Sequence, residues 1–193
     1  FRRILTKKKV IISDKSIREF SILKKISKKR GLRIIDIHPV LKRINNNLDL
    51  NNKFNKYQKK NLSMAIAAAK LCDLNENKIF ISLNKIKDVE GRLELVKIFN
   101  NGVKVYVDFA HTPDALKKSL DALKQKHGSN ISVVFWCGGN RDFKKRPIMA
   151  KIASIYCKKI YVTDDNPRNE DPKKIRNEIV KNIKLKKSFN IGN

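Results

Sequence analysis

Val107-Asp108-Phe109-Ala110-His111-Thr112-Pro113-Asp114-Ala115-Leu116 ends an apolar run with charged, polar and proline residues. Two later stretches do the same: Cys137-Gly138-Gly139-Asn140-Arg141-Asp142 and Thr163-Asp164-Asp165-Asn166-Pro167-Arg168. This is how the ligand-binding edge of a parallel α/β sheet reads, because ligands sit beyond the carboxyl ends of its strands. Three such loops in chain order predict one composite site assembled from several strand ends.

Around these loops the pattern is regular. Strands are expected at Val103 to Val107, Ile131 to Trp136, Lys159 to Thr163 and Phe189 to Ile191. Helices are expected at Pro113 to Lys124, Lys145 to Tyr156 and Pro172 to Ile183, with Pro113 and Pro172 in the first turn, where proline is favoured. Strands alternating with helices predict a Rossmann-like parallel sheet. Upstream, Val10-Ile11-Ile12 reads as a buried strand and Leu32 to Ile37 as a second, ended by His38-Pro39. Between them Ile17, Phe20, Leu23 and Ile26 recur at helical spacing, with Gly31 as a helix stop. That is a β-α-β unit. The Asn-rich stretch Leu41 to Lys53 reads as edge strand or loop. Asn61 to Leu71 and Asn75 to Lys87 read as helices. Asp88-Val89-Glu90-Gly91-Arg92 is the expected domain boundary, dividing residues 1-88 from 89-193.

The chain has 193 residues, of which 41% are hydrophobic, enough for a packed core. The formal net charge of +27 invites a nucleic-acid reading. The lysines, however, are spread over helices and loops without a confined patch, and asparagine and isoleucine are abundant beside them. They read as solvated surface, with only nonspecific attraction to polyanions at low salt. No nucleic-acid partner is expected. Cys72, Cys137 and Cys157 are far apart, with no CxxC pair, so neither a disulfide framework nor a zinc site is supported. They are expected as buried thiols in a reducing cytoplasm. No apolar run approaches the roughly 20 residues of a membrane span, and no membrane partner is expected. A first residue of Phe1 and an end at Asn190-Ile191-Gly192-Asn193 read as a piece truncated at both ends.

Several residues in the loops have the chemistry of a binding site. Asp108 can accept from ribose hydroxyls, and His111 can stack on a base or bond a phosphate; the plainer alternative is that Asp108 caps the next helix and His111 packs under the loop. Gly138-Gly139 lets backbone approach a ligand closely. Arg141, Lys144, Lys145 and Arg146 crowd positive charge where a helix begins, against its macrodipole, which points to an anionic partner. Asn166 is held extended by Pro167. Arg168 offers a planar fork for a carboxylate, and Asp165 an acceptor for an ammonium. Together they could grip both ends of a zwitterionic amino acid. Arg92, at the boundary, could reach a nucleotide phosphate.

Gly91-Arg92-Leu93-Glu94, Asp108 to Leu116, Gly138 to Asp142 with Lys145-Arg146-Pro147, and Asp165-Asn166-Pro167-Arg168 together resemble a Mur ligase. Phe54 through Ala69 resembles the end of that family's central domain. The resemblance implies the end of a central ATPase-type α/β domain (1-88), followed by an incomplete Rossmann-like C-terminal ligase domain (89-193). It also implies an activity. The D-glutamate carboxylate of UDP-MurNAc-L-Ala-D-Glu is phosphorylated by ATP with Mg2+, and the amino group of meso-diaminopimelate displaces phosphate to form an amide of the peptidoglycan stem peptide. In that frame Arg92, Asp108 and His111 bind ATP. Arg141 holds the amino-acid substrate, and Asp165, Asn166, Pro167 and Arg168 select meso-diaminopimelate over L-lysine. Asn140 stands where the family usually has Asp, Phe109 where Tyr is commoner, and Phe143-Lys144 replace a Lys-Gly-like pair.

No Gly-x-x-x-x-Gly-Lys-Ser/Thr phosphate loop is present. The resemblance puts the family's magnesium-binding lysine and UDP-binding domain before Phe1, and its last diaminopimelate contacts after Asn193. No catalytic or metal-binding residue is therefore expected within this chain, which is expected to be inactive alone. The full-length protein is expected to be a cytoplasmic monomer. Two alternatives stand beside this reading: the same ligase using L-lysine, and a nicotinamide-dependent oxidoreductase on a Rossmann-like sheet. Against the latter, Gly138-Gly139 does not complete Gly-x-Gly-x-x-Gly.

Overall fold

The computed structural model describes residues 3–5, 9–87, 89–183 and 188–192, and the chain divides into two compact units, Phe1–Lys87 and Asp88–Asn193. In the first unit, β1 (Arg3–Leu5) pairs antiparallel with β2 (Lys9–Ser13), which pairs parallel with β3 (Arg33–Asp36), Ile11 opposite Ile34. The β-branched run Val10-Ile11-Ile12 suits a pleated, partly buried strand. The connecting helix α1 (Phe20–Lys29) starts later than its apolar spacing suggests. The side chain of Asp14 accepts from the backbone N–H of Ser16 at 2.8 Å and from its hydroxyl at 2.6 Å, and this local loop competes with helix. Gly31, with φ +59, takes the left-handed position just past the helix end.

The stretch from Leu41 to Lys53, expected as edge strand or loop, is helical. It contains the last two turns of α2 (His38–Asn46) and all of α3 (Leu48–Lys53). Pro39 lies in the first turn of α2, and Val40 and Ile44, four residues apart, are buried beside Leu50. The asparagines that look like turn residues include a cap: Asn47 accepts from the N–H of Leu50 at 3.0 Å and starts α3. Helix α4 (Lys56–Leu71) begins five residues before its expected start at Asn61, because Asn55 and Gln58 form a capping box. Asn75 caps α5 (Glu76–Leu83), which ends short of Lys87. Val40, Ile44, Leu50, Ile66 and Leu83 form the core between these helices.

In the second unit, β4 (Arg92–Ile98) and β5 (Lys104–Asp108) form an antiparallel ribbon, Leu95 opposite Tyr106. The Val103 to Val107 strand, expected in the parallel sheet, thus pairs with β4, a strand not expected from the sequence. The parallel sheet consists of β6 (Ser132–Phe135), β7 (Lys159–Val162) and β8 (Ser188–Asn190), in that order. Helix α6 (Pro113–His127) precedes it, and α7 (Lys145–Tyr156) and α8 (Pro172–Val180) connect its strands. Phe135, Ile160 and Val162 of the sheet pack with Met149, Ala150 and Ala153 of α7 and with Ile175 and Ile179 of α8. Buried α7 residues at positions 149, 150 and 153 follow the helical period, which explains why its ends match the expected ones. Cys137 and Cys157 are buried as expected, but Cys72 is exposed.

Candidate functional site

The loops after β6 and β7 leave neighbouring strands on the same side, so the sheet itself brings Gly138 to Asp142 beside Asp164 to Arg168. Hydrogen bonds then join them. Gly139 N–H donates to Asn166 O at 3.0 Å, Arg168 Nη1 donates to Gly139 O at 2.7 Å, and Asn169 N–H donates to Asn140 Oδ1 at 2.9 Å. Glycine is required at 139, because a Cβ there would sit 1.8 Å from Pro167 O. At Gly138 a Cβ would lie 3.0 Å from Arg168 Nη1 and 3.5 Å from Asp165 Oδ2. The guanidinium and carboxylate proposed for an amino acid's two ends therefore flank one glycine.

Backbone conformation marks the same place. Asn140 (φ 47) and Arg168 (φ 52) are both in the left-handed region, one on each loop. Asn tolerates it; Arg does not ordinarily adopt it. The Asn166 side chain accepts from Arg168 N–H at 3.0 Å and helps hold that turn. Asp165, Asn166 and Arg168 are exposed and Pro167 is half-buried; Arg141 is exposed beside Asn140.

The basic cluster at the start of α7 is partly accounted for within the protein. Arg146 is 1% exposed, and its counter-charges are Glu170 and Glu178. Arg146 Nη1 donates to Glu170 Oε2 at 3.0 Å and to Glu178 Oε2 at 2.7 Å, while Nη2 donates to Glu170 Oε1 at 2.9 Å. The Glu170 hydrogen bonds, with those of Glu178, hold the guanidinium's pKa above its ordinary value despite burial. In return the Arg146 guanidinium, with the Asn140 N–H, holds the Glu170 carboxyl below the usual range. Lys145 Nζ donates to His111 O at 2.9 Å. The anionic partner inferred from this charge is thus, for Arg146, the protein's own carboxylates; Arg141 and Lys144 remain exposed.

Arg92, Asp108 and His111 lie together at the end of the β4–β5 ribbon. Asp108 does not cap α6; Thr112 does, accepting from Ala115 N–H at 3.2 Å. Asp108 instead accepts from Leu93 N–H at 2.9 Å and from the Ser119 hydroxyl at 3.0 Å, one bond to each oxygen. A carboxylate can accept about four bonds, so two sites remain. His111 is exposed, its Nδ1–H donating to Phe109 O at 3.1 Å, so its Nε2 is not used by this hydrogen bond. Arg92 is exposed, its guanidinium carbon 5.8 Å from the centroid of Phe109. Gly91, at φ +64, lies under that ring, and a Cβ would meet it at 2.2 Å. Among the described residues no three of His, Cys, Asp or Glu converge to hold a metal ion, and no helix is long and apolar enough to cross a membrane.

The sequence reading missed Glu170, Glu178 and Ser119 as partners of site residues. Their roles depend on contacts 11 to 32 residues away along the chain, which no local pattern reveals.

Residues 91–190 match the family described as Mur ligase, glutamate ligase domain. The chain is 40% identical over 178 residues to a Rickettsia montanensis protein named UDP-N-acetylmuramoyl-L-alanyl-D-glutamate–2,6-diaminopimelate ligase, covering 87% of this chain and 36% of that one. A Rhizobium meliloti (strain 1021) protein of the same name is 42% identical over 124 residues, covering 64% and 26%. The chain therefore spans 36% or less of these two curated relatives. Among solved structures, folylpolyglutamate synthase of Thermotoga maritima resembles it with a TM-score of 0.60 over 96% of this chain and 48% of that one. At 17% identity that likeness concerns the fold alone. With a match over just more than half its length, at residues 91–190, the chain belongs to the Mur ligase family.

Proposed function

We propose that this chain is part of an ATP-dependent amide ligase that joins meso-diaminopimelate to UDP-MurNAc-L-Ala-D-Glu in peptidoglycan biosynthesis. The observation that carries the reading is the joining of the Gly138–Asp142 and Asp164–Arg168 loops, with Arg168 and Asp165 flanking Gly138, in a chain 40% identical to a diaminopimelate ligase. In this reading residues 1-88 are the end of the central ATP-binding domain and 89-193 are an incomplete C-terminal domain.

The D-glutamate carboxylate is activated as an acyl phosphate at the expense of ATP. The amine of the incoming amino acid attacks the acyl carbon, the C–N bond forms, and phosphate leaves. This chain's part is to position. Arg92 meets nucleotide phosphate, while Asp108 and His111 meet its ribose and base side. Arg141 and Asp165 to Arg168 orient the amino acid. Arg168 has five N–H donors, one of them committed to Gly139 O, and the rest of its fork suits the second carboxylate that distinguishes meso-diaminopimelate from L-lysine. The described residues do not form a Mg2+ site, so no step here is assigned to the metal. Ligation is proposed for the longer protein, in the cytoplasm and as a monomer, and the chain by itself is proposed to be inactive.

The test is ligation by the full-length gene product with ATP and UDP-MurNAc-L-Ala-D-Glu, offering meso-diaminopimelate and L-lysine side by side. Preference for meso-diaminopimelate is expected, and Arg168→Ala is expected to reduce it by roughly tenfold to hundredfold, the value of a charge-assisted hydrogen bond of about 1.5–3 kcal/mol. Preference for L-lysine would keep the ligase and overturn the selectivity; no ligation with either would overturn the reading.

A further inference from the structure

We infer that Glu170, held by Arg146, is a positioning residue that sets the spacing between the two loops carrying Arg141 and Arg168; this rests on the amino-acid-binding role proposed for those loops. Glu170 lies at the end of the second loop, where its N–H donates to Pro167 O at 3.0 Å. Its carboxylate reaches back to the first loop and accepts from Asn140 N–H. Of the hydrogen bonds that join the loops, this one and the bond from the Arg168 guanidinium are charge-assisted. It fixes the residue next to Arg141.

The carboxylate is itself anchored. Arg146 grips both of its oxygens and at the same time bonds Glu178 on α8, so the loop junction is fastened to two helices of the core. The guanidinium is buried while its carboxylate partners keep part of their surface in solvent, and taking that charge out of water offsets much of what the pairing gains, so the bridge is a poor device for stability alone. Here it is also incompletely satisfied: Arg146 Nε is buried without a hydrogen-bond partner among the described residues. What it delivers is geometry. Asn140 and Arg168 are both in left-handed conformations, which persist only where surroundings over-determine them. The Arg146–Glu170 bridge is the fixed point beside them. Glu170 touches no reacting atom in this scheme; it acts through Asn140 and Arg168.

The experiment uses the full-length protein and compares Glu170→Ala and Glu170→Gln with the unaltered enzyme and with Arg168→Ala. It measures kcat, the KM for meso-diaminopimelate, the KM for ATP and the Tm. Glu170→Ala is expected to raise the KM for meso-diaminopimelate by about tenfold to hundredfold, the size expected when a charge-assisted hydrogen bond that positions the site is lost, while the KM for ATP stays put. Glu170→Gln keeps an acceptor for Asn140 N–H and is expected to recover part of the loss. Being isosteric, it carries the test if the alanine variant fails to fold. An unchanged KM for meso-diaminopimelate overturns the inference. So does a rise in both KM values together with a fall in Tm, which is what a purely structural role gives. If Arg168→Ala impairs meso-diaminopimelate use and the Glu170 variants do not, the inference falls and the proposed function stands. If Arg168→Ala has no effect, the role given to Arg168 falls and the inference falls with it, while absence of ligation by the unaltered enzyme is what overturns the proposed function.

Discussion

Gly139 and Gly102 separate two reasons for a glycine. At Gly139 the obstacle is the Pro167 carbonyl, a backbone group that cannot swing aside. At Gly102, with φ +80, nothing lies within 4 Å and only the backbone conformation disfavours a side chain. Gly139→Ala is expected to lower stability by about 1–3 kcal/mol through overpacking, and Gly102→Ala by about 1 kcal/mol; urea unfolding of the two variants measures the difference. Asp14 makes a second residue-scale prediction. Burial opposes its ionisation, but Lys60 and Ser16 prevail and hold the carboxyl at about 2 rather than 3.8. The folded-state value is the lower one, so the stabilisation is complete above about pH 4 and is lost as pH falls through 2. Its size is about 2 kcal/mol, from 1.36 kcal/mol per unit. Acid unfolding of Asp14→Asn should lack that part of the pH slope; an unchanged slope would show that Asp14 does not supply it.

At the scale of elements, caps decide where helices begin. Asn55→Ala removes an acceptor for Tyr57 and Gln58 N–H and should cost about 1 kcal/mol, visible as a lower Tm. Much of the element order was readable, because proline at 113 and 172 and the periodic burial of α7 are local properties. The helices over residues 38–53 were not, since asparagine signals turns by composition and caps only by position. The ribbon strand β4 hides because most of RLELVKI is exposed, leaving no one-sided alternation. In the site, Gly138-Gly139 and Asp165 to Arg168 announced themselves by residue type. Glu170 did not, because its meaning depends on Arg146, 24 residues earlier. The same distance explains why Arg146 reads from sequence as part of a cluster facing an external anion, when its partners are the protein's own carboxylates.

For the whole molecule, the dominant quantity is charge. With +27 spread over the surface, retention on a polyanion column should fall steeply with salt and vanish at moderate ionic strength. Retention that persists at high salt would point to a built nucleic-acid surface instead. The division at Lys87 and Asp88 confines all eight proposed ligand-binding residues to the second unit, so substitutions in the helices of the first are expected to act through folding. Selection also acts on the whole chain, and there the backbone of Arg168 has a consequence. A residue at φ 52 is one that glycine or asparagine would occupy with less strain. Evolving this protein for heat tolerance alone would therefore tend to erase Arg168, and a screen that also demands the ligand-binding role proposed for it would keep it.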